Sequence, residues 1–327
     1  MSQNTQSSKT ILITGAAGFV GTNLVEKILN TTDYKIIAYD NLSTGFVEHL
    51  LPYKGNERFS FNKKTIDSSF SSSVLENVDC IVHLAALADI SNNKNNYSEC
   101  LEKNINVTNY LIEAAIKAGT KKFLFASTCS VYGDPNLYPS KEDEICDQTS
   151  VYAATKIASE KILEGFANTF DLQVYSMRFV SMLGARYSHG HVYDFVKNIL
   201  NGDKKLNILG SGGQLKSYLH IQDAVDAIIH LINYDSKTQF EAFNVGHPNA
   251  MKLKYSVNAI LERTNYKGEI EYGKEATGWV GDNPVVMPCV DKLISTGWNP
   301  KYDLRQSVFD TVDWILNNQW VFTRNDK

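Results

Sequence analysis

The chain lacks the features that mark membrane, nucleic-acid-binding and secreted proteins. Its apolar runs are far shorter than the ~18 residues of a membrane helix. Thirty-two Lys and Arg against 36 Asp and Glu give a net charge of -4, and without a basic stripe this argues against a nucleic-acid partner. The first residues, Met1–Lys9, are polar and lack a signal pattern, so we expect a cytoplasmic protein without a membrane partner.

Paired cysteines are also absent. The five cysteines are scattered and none forms a C-x-x-C spacing, which predicts neither a disulfide framework nor a metal site. We expect reduced and mostly buried thiols.

What the chain does have is an alternation of apolar strands and helices. Its 327 residues suggest about two domains. Near-continuous apolar strands between helices predict an α/β fold, a Rossmann-type doubly wound parallel sheet. We place this nucleotide-binding domain at residues 9–178, with 218–247 returning to it. A smaller C-terminal substrate-binding domain would comprise residues 179–217 and 248–327.

A glycine-rich turn follows the first predicted strand, Thr10–Thr14, and opens a helix. Gly15 suits the tight turn, Gly18 lets backbone approach a pyrophosphate, and Gly21 lets the helix pack closely on the strand. Asp40 ends the second strand, where a carboxylate accepts hydrogen bonds from ribose hydroxyls. Because Asn41 follows it instead of an Arg that would neutralise a 2′-phosphate, the sequence favours NAD over NADP.

A second chemical motif combines a phenol, an ammonium and hydroxyls. Tyr152 and Lys156 are four residues apart and share one face of a predicted helix. A nearby cation lowers the pKa of a phenol, which is otherwise near 10. The segment Phe125–Gly133 leaves a strand and carries the hydroxyls of Ser127, Thr128 and Ser130. One of these could bind the same substrate oxygen as Tyr152.

With these motifs the sequence resembles the extended short-chain dehydrogenase/reductase family, in its NAD-dependent nucleotide-sugar epimerase/dehydratase branch, including UDP-glucose 4-epimerases. The resemblance extends from Thr10 to about Pro300. It rests on the segments TGAAGFVG, YDNLSTG, VHLAA, STCSVYG, YAATK and GSGGQLKSYLHIQDAVDAI.

The resemblance implies roles for individual residues. Thr128, Tyr152 and Lys156 would be catalytic, with Tyr152 as the acid/base. Beside Tyr152 and Lys156, the cofactor would be bound by Gly15, Ala17, Gly18, Phe19, Val20, Asp40, Asn41, Leu84, Ala85, Ala86 and Asn106, the last positioning the following catalytic loop. The nucleotide sugar would contact Thr128, Cys129, Ser130, Tyr152, Ser181, His189, His191, Gln214, Lys216 and Trp279.

Departures from the family pattern narrow the expected reaction. The branch's sugar 4,6-dehydratases carry Asp-Glu after the catalytic Thr, where this chain has Cys129 and Ser130. Decarboxylating relatives carry a Glu where Ser130 stands. We therefore expect C4 epimerisation of a UDP-sugar, as in polysaccharide biosynthesis. A 4-keto-sugar reductase and a non-catalytic NAD-binding regulator remain alternatives. The resemblance also implies a homodimer formed by the helices around Ile105–Ala118 and Tyr152–Ala167.

Overall fold

A computed structural model describes residues 8–88, 97–135, 137–278 and 282–323. Its strands are β1 (Thr10–Thr14), β2 (Lys35–Asp40), β3 (Phe59–Lys63), β4 (Cys80–His83), β5 (Lys122–Thr128), β6 (Gln173–Phe179), β7 (Ser181–Leu183), β8 (Lys205–Ile208), β9 (Leu215–Lys216), β10 (Tyr218–His220), β11 (Phe240–Val245), β12 (Met251–Lys252), β13 (Glu269–Tyr272) and β14 (Val285–Val286).

The α-helices are α1 (Phe19–Thr31), α2 (Tyr97–Leu101), α3 (Val107–Ala118), α4 (Val151–Thr169), α5 (His191–Leu200), α6 (Ile221–Asn233), α7 (Leu253–Thr264), α8 (Asp291–Ser295) and α9 (Leu304–Asn317). A π-helical turn, Glu102–Asn106, joins α2 to α3. The described helices include none long and apolar enough to cross a membrane.

The central sheet has the strand order β11-β6-β5-β4-β1-β2-β3. The pairs from β3 to β5 are parallel, so the predicted doubly wound fold is confirmed. The strand order reverses between β1 and β4, and ligands of such sheets bind outside the carboxyl ends of the strands at that point. The return of Phe243–Val245 to the main sheet is also confirmed, as part of the edge strand β11.

The local patterns explain why these elements form. β1 and β4 are buried almost throughout, as expected for strands covered on both faces. α3 ends as predicted at Gly119, whose φ of +75° closes the last turn. The main core of this region joins residues of β1, β4 and β5 to α3 and α4, among them Leu12, Ile81, Leu111, Phe123 and Leu163.

The chain divides into two compact units. Unit 1 comprises the described residues of Met1–Ser127, Thr155–Met177 and Ile228–Ala242, and unit 2 those of Thr128–Ala154, Arg178–Ala227 and Phe243–Lys327. Unit 2 includes Thr128–Ala154, Arg178, Tyr218–Ala227 and Phe243–His247, which the sequence analysis assigned to the nucleotide-binding domain. The functional division into a cofactor domain and a substrate domain stays a prediction. Unit 2 also holds small sheets with the orders β10-β7, β12-β9-β14 and β13-β8.

Candidate active site

The glycine-rich turn of unit 1 leaves no room for side chains. Gly15 has a φ of +67°, and a Cβ there would lie 2.7 Å from the backbone nitrogen of Ala85. A Cβ on Gly21 would lie 2.7 Å from Cα of Ala16. Gly18 precedes α1, which no side chain caps. The turn thus brings bare backbone to the start of a helix, the arrangement that binds phosphates.

Asp40 connects this turn to the end of β2. Its carboxylate accepts hydrogen bonds from the backbone N–H groups of Ala17 (2.9 Å) and Leu42 (2.7 Å). A carboxylate has about four lone-pair sites, so capacity for ribose hydroxyls remains. Asn41 accepts from the N–H of Ser43 at 2.9 Å and forms the turn that follows.

The segment after β4 is fixed by a buried histidine. The N–H of Ala85 donates to Thr14 Oγ1 (3.2 Å), and that hydroxyl lies 2.7 Å from His83 Nδ1. His83 Nε2 lies 3.0 Å from Thr108 Oγ1, which itself donates to the Asn104 carbonyl. This network assigns the imidazole proton to Nε2. Burial, and then the charge of Lys156, lower the His83 pKa to about 3, so the ring is neutral.

Leu84, Ala85 and Ala86 follow β4 as half-buried residues, and the predicted cleft would lie beside them. Asn106, however, is exposed and its amide donates to Glu102. The buried asparagine of this segment is Asn104. Its side chain accepts from the Leu87 N–H (2.8 Å) and donates to the Leu87 carbonyl and to Thr155 Oγ1. Asn104, and not Asn106, therefore holds the neighbouring loop, and contact of Asn106 with the cofactor stays a prediction.

Lys156 is buried in unit 1, with only 2% of its surface exposed. Its ammonium donates to the Ala126 carbonyl at 2.8 Å and lies 4.7 Å from the centre of the Phe125 ring. Burial lowers its pKa to about 7, and electrostatic interactions with Cys100 and Glu160 act in the opposite direction. Tyr152 is half-buried in the first turn of α4, four residues before Lys156.

The catalytic hydroxyl candidate, Thr128, is the last residue of β5. Its Oγ1 accepts from the N–H of Ser130 at 3.1 Å and lies 3.2 Å from the Ser130 hydroxyl. Cys129 is buried, and its thiol donates to the Arg178 carbonyl at 3.1 Å. Of the three neighbours, Thr128 and Ser130 are half-buried, and the Cys129 thiol is held in the interior of unit 2.

The basic and amide side chains predicted to bind substrate have internal partners in unit 2. Lys216 donates to Asp282 at 2.7 Å and to the Asn283 carbonyl. Gln214 is buried, with its amide donating to the Leu209 carbonyl at 3.0 Å. An ammonium has three donors, and these two bonds use two of the three on Lys216.

The two histidines predicted to bind substrate, His189 and His191, differ in exposure. His189 is exposed and stacks on the Tyr187 ring, with centroids 5.7 Å apart. His191 is half-buried, hydrogen-bonded to Ser256 at 2.8 Å, and burial lowers its pKa to about 4. Ser181 is exposed at the start of β7. The Trp279 prediction lies outside the described residues.

Sequence reasoning did not single out Glu160. This buried carboxylate follows Lys156 by four residues and accepts from the Ser127 hydroxyl. The signal was present in the spacing, because Tyr152, Lys156 and Glu160 recur at intervals of four on one helix.

The sheet order, the glycine turn and the carboxylate at the end of β2 define a dinucleotide-binding α/β protein. The chain belongs to the NAD dependent epimerase/dehydratase family, whose pattern it matches over residues 11–246. The predicted NAD cofactor is thereby confirmed, and the cradle that any Cβ on Gly15 would fill fits its pyrophosphate.

Similar proteins include several UDP-sugar epimerases. The UDP-glucose 4-epimerase of Mycolicibacterium smegmatis is 29% identical over 313 residues, 94% of this chain and 98% of its own length. The crystal structure of the Thermotoga maritima UDP-glucose 4-epimerase with UDP-glucose has a TM-score of 0.86 and 28% identity, covering 95% and 99% of the two chains. The UDP-N-acetylglucosamine 4-epimerase from Methanobrevibacter ruminantium, in complex with UDP-N-acetylmuramic acid, has a TM-score of 0.86 at 25% identity, covering 96% and 100%.

Proposed function

We propose that this protein is an NAD-dependent epimerase that inverts C4 of a UDP-sugar through a transient 4-keto sugar. The observation that carries the proposal is the combination of side chains at positions 128–130 and on α4. Thr128, Tyr152 and Lys156 are all present, and neither position 129 nor position 130 carries a carboxylate. The similar proteins that act at C4 of UDP-sugars support the same reaction.

The cofactor side of the proposal rests on unit 1. Ala17, Phe19 and Val20 would present backbone to the pyrophosphate, and Asp40 would accept from the adenosine ribose. Leu84, Ala85 and Ala86 would line the cleft, and Lys156 would bind the nicotinamide ribose. Bound NAD supplies the reversible oxidation of the sugar carbon.

The acid/base step belongs to this chain's own residues. Tyr152, as phenolate, takes the proton of the sugar 4-hydroxyl while C4 is oxidised. The Lys156 ammonium stabilises that phenolate and lowers the pKa of Tyr152. The Thr128 hydroxyl donates to the same sugar oxygen. When C4 is reduced on its other face, Tyr152 returns the proton to that oxygen, so the enzyme ends the cycle unchanged.

The absence of a side-chain acid after Thr128 distinguishes epimerisation from dehydration. Eliminating water across C5 and C6 needs a base for one carbon and an acid for the departing hydroxyl. The Cys129 thiol is buried against a backbone carbonyl and Ser130 carries a hydroxyl, so neither supplies that pair. The 4-keto sugar is then left to be reduced again.

The test is incubation with UDP-, GDP-, CDP- and dTDP-sugars plus NAD, without reduced coenzyme, followed by chromatography and proton NMR. We expect one UDP-sugar to be converted to its C4 epimer, and Tyr152→Phe to reduce the rate by at least about a thousandfold. Tyr255→Phe removes an exposed phenol on α7 and should leave the rate unchanged.

Two outcomes would overturn the proposal. Conversion of a 4-keto sugar only when NADH or NADPH is added would identify a reductase. An unchanged biological activity in the Tyr152→Phe variant would indicate a non-catalytic NAD-binding protein. Homodimer formation through α3 and α4 stays a prediction, which sedimentation equilibrium at micromolar concentration would test.

A further inference from the structure

The carboxyl end of β5 makes two successive hydrogen bonds to successive turns of α4. The Ala126 carbonyl accepts from the Lys156 ammonium at 2.8 Å, and the next residue, Ser127, donates its hydroxyl to the Glu160 carboxylate. All four residues belong to unit 1. This double link fixes both the rotation and the height of α4 against the strand that ends at Thr128.

A second part of this helix face, at Thr155 and Ser159, is also held in place. Asn104 donates to Thr155 Oγ1 at 3.0 Å, and the Ser159 hydroxyl donates to the Asn104 carbonyl at 3.1 Å. Thr155, Lys156, Ser159 and Glu160 are all at most 2% exposed. Four adjacent buried polar residues on one helix are costly unless each is satisfied, which here each is.

Within this cluster Glu160 supplies a negative charge near an ammonium that burial penalises. Burial alone drives a lysine towards its neutral form. Two further titratable groups that act on Lys156 are Cys100 from α2 and His83 from β4. Cys100 is an uncharged thiol at neutral pH and His83 is a neutral imidazole, so of these three groups the carboxylate on the next turn supplies the charge that favours the ammonium.

We propose that Glu160, held by Ser127, is a positioning residue that keeps Lys156 protonated and in place for its role beside Tyr152. The catalytic consequence of this inference rests on the proposed function. Its physical basis is the pair of hydrogen bonds between β5 and α4. A purely structural Glu160 would stabilise the fold without affecting the titration of Lys156.

The test is the titration of Lys156 in the NAD-loaded full chain carrying lysine labelled with 13C at Cε. The Lys156 resonance is assigned by its loss in Lys156→Arg. In Glu160→Gln the glutamine still accepts from Ser127 but carries no charge, so the midpoint should fall by about one pH unit or more. Glu160→Asp, which keeps the charge, should restore most of that shift.

Two further variants control for damage to the fold. Glu164→Gln removes a carboxylate that pairs with Lys161 at the surface of the same helix, and its Lys156 midpoint should match wild type. Ser127→Ala keeps the charge but releases the carboxylate. Its midpoint should fall by less than in Glu160→Gln, and it serves as the test if Glu160→Gln does not fold.

The activity readout separates this inference from the proposed function. With a converted UDP-sugar, the alkaline limb of the kcat/KM profile in Glu160→Gln should move to lower pH by the same amount as the Lys156 midpoint, because Lys156 then loses its proton earlier. A midpoint that falls in a protein converting no sugar would overturn the proposed function alone. A wild-type midpoint in Glu160→Gln, or in Ser127→Ala if only that variant folds, would overturn the inference.

Discussion

Unit 1 and unit 2 hold their predicted site residues in different ways. In unit 1 the residues expected to bind NAD are arranged by contacts with the backbone. A Cβ on Gly15 would meet the backbone of Ala85, and Asp40 is held by the amides of Ala17 and Leu42. In unit 2 the basic residue expected to bind substrate is held by a side-chain partner, as Lys216 is by Asp282. The predicted cofactor site therefore depends on backbone geometry, and the predicted substrate site depends on side-chain pairing.

The contrast between the two units would be contradicted if a Cβ in the glycine turn did not weaken NAD binding. Gly15→Ala should weaken NAD binding by about 4 kcal/mol, a thousandfold in Kd, because the new methyl displaces Ala85 and the turn. Gly119 has a similar φ of +75° but open space around its Cα. Gly119→Ala should therefore lose about 1–2 kcal/mol of stability while keeping its affinity. Calorimetric titration with NAD would decide, and equal affinities in the two variants would contradict the prediction.

The contrast is tested further by comparing the stability cost of replacing a buried and an exposed lysine of unit 2. The Lys216 and Asp282 side chains are 17% and 2% exposed, so Lys216→Met should cost about 3 kcal/mol by leaving a buried carboxylate unpaired. Lys205 pairs with Glu271 at the surface, and Lys205→Met should cost less than about 1 kcal/mol.

Urea unfolding followed by tryptophan fluorescence measures both lysine variants, because every tryptophan lies within the sequence range Phe243–Lys327. Adding Asp282→Asn to Lys216→Met should recover most of the loss. An unchanged unfolding midpoint in Lys216→Met would mean that the Lys216–Asp282 pair adds no net stability, which would contradict the prediction.

The smallest expected effect is the loss of folding stability as the pH falls from 6.5 to 5.5. The pKa of His83 is about 3 in the folded chain and near 6.5 when unfolded, so between these values the unfolded state binds the extra proton. Stability should therefore fall with decreasing pH by up to about 1.4 kcal/mol per pH unit from this residue. His83→Asn should lessen the slope between pH 6.5 and 5.5, whereas the exposed His189→Asn should not. Urea unfolding at several pH values, followed by circular dichroism, provides the measurement.

The fold could be predicted because its signals are local. β1 and β6 have the expected bounds, and Gly119 ends α3, because apolar runs and glycine punctuation act over a few residues. Asn106 was named from the resemblance alone, which does not show how the π-helical turn Glu102–Asn106 orients its residues. In that turn Asn104 is buried and Asn106 is exposed.

The substrate side could not be predicted for a different physical reason. The partners of His191 and Gln214 are Ser256 and the Leu209 carbonyl, and no spacing rule links a loop histidine to a serine 65 residues away. The spacing of Glu160 on α4 is visible in the sequence, but its role depends on the hydroxyl of Ser127, which belongs to another element. Residue types suggest candidates for such sites, and only the packing selects among them.

The edge strand β11 has a consequence for synthesis of the chain. β6 ends at Phe179, and its outer neighbour β11 is complete only at Val245. At ~5–20 residues per second, a nascent chain would take roughly 3–13 s to add the intervening 66 residues. During that interval β6 exposes unpaired N–H and C=O groups, a template for pairing with another chain. Slowing or stalling translation between these residues would therefore favour aggregation over a native sheet, even though the finished protein buries that edge.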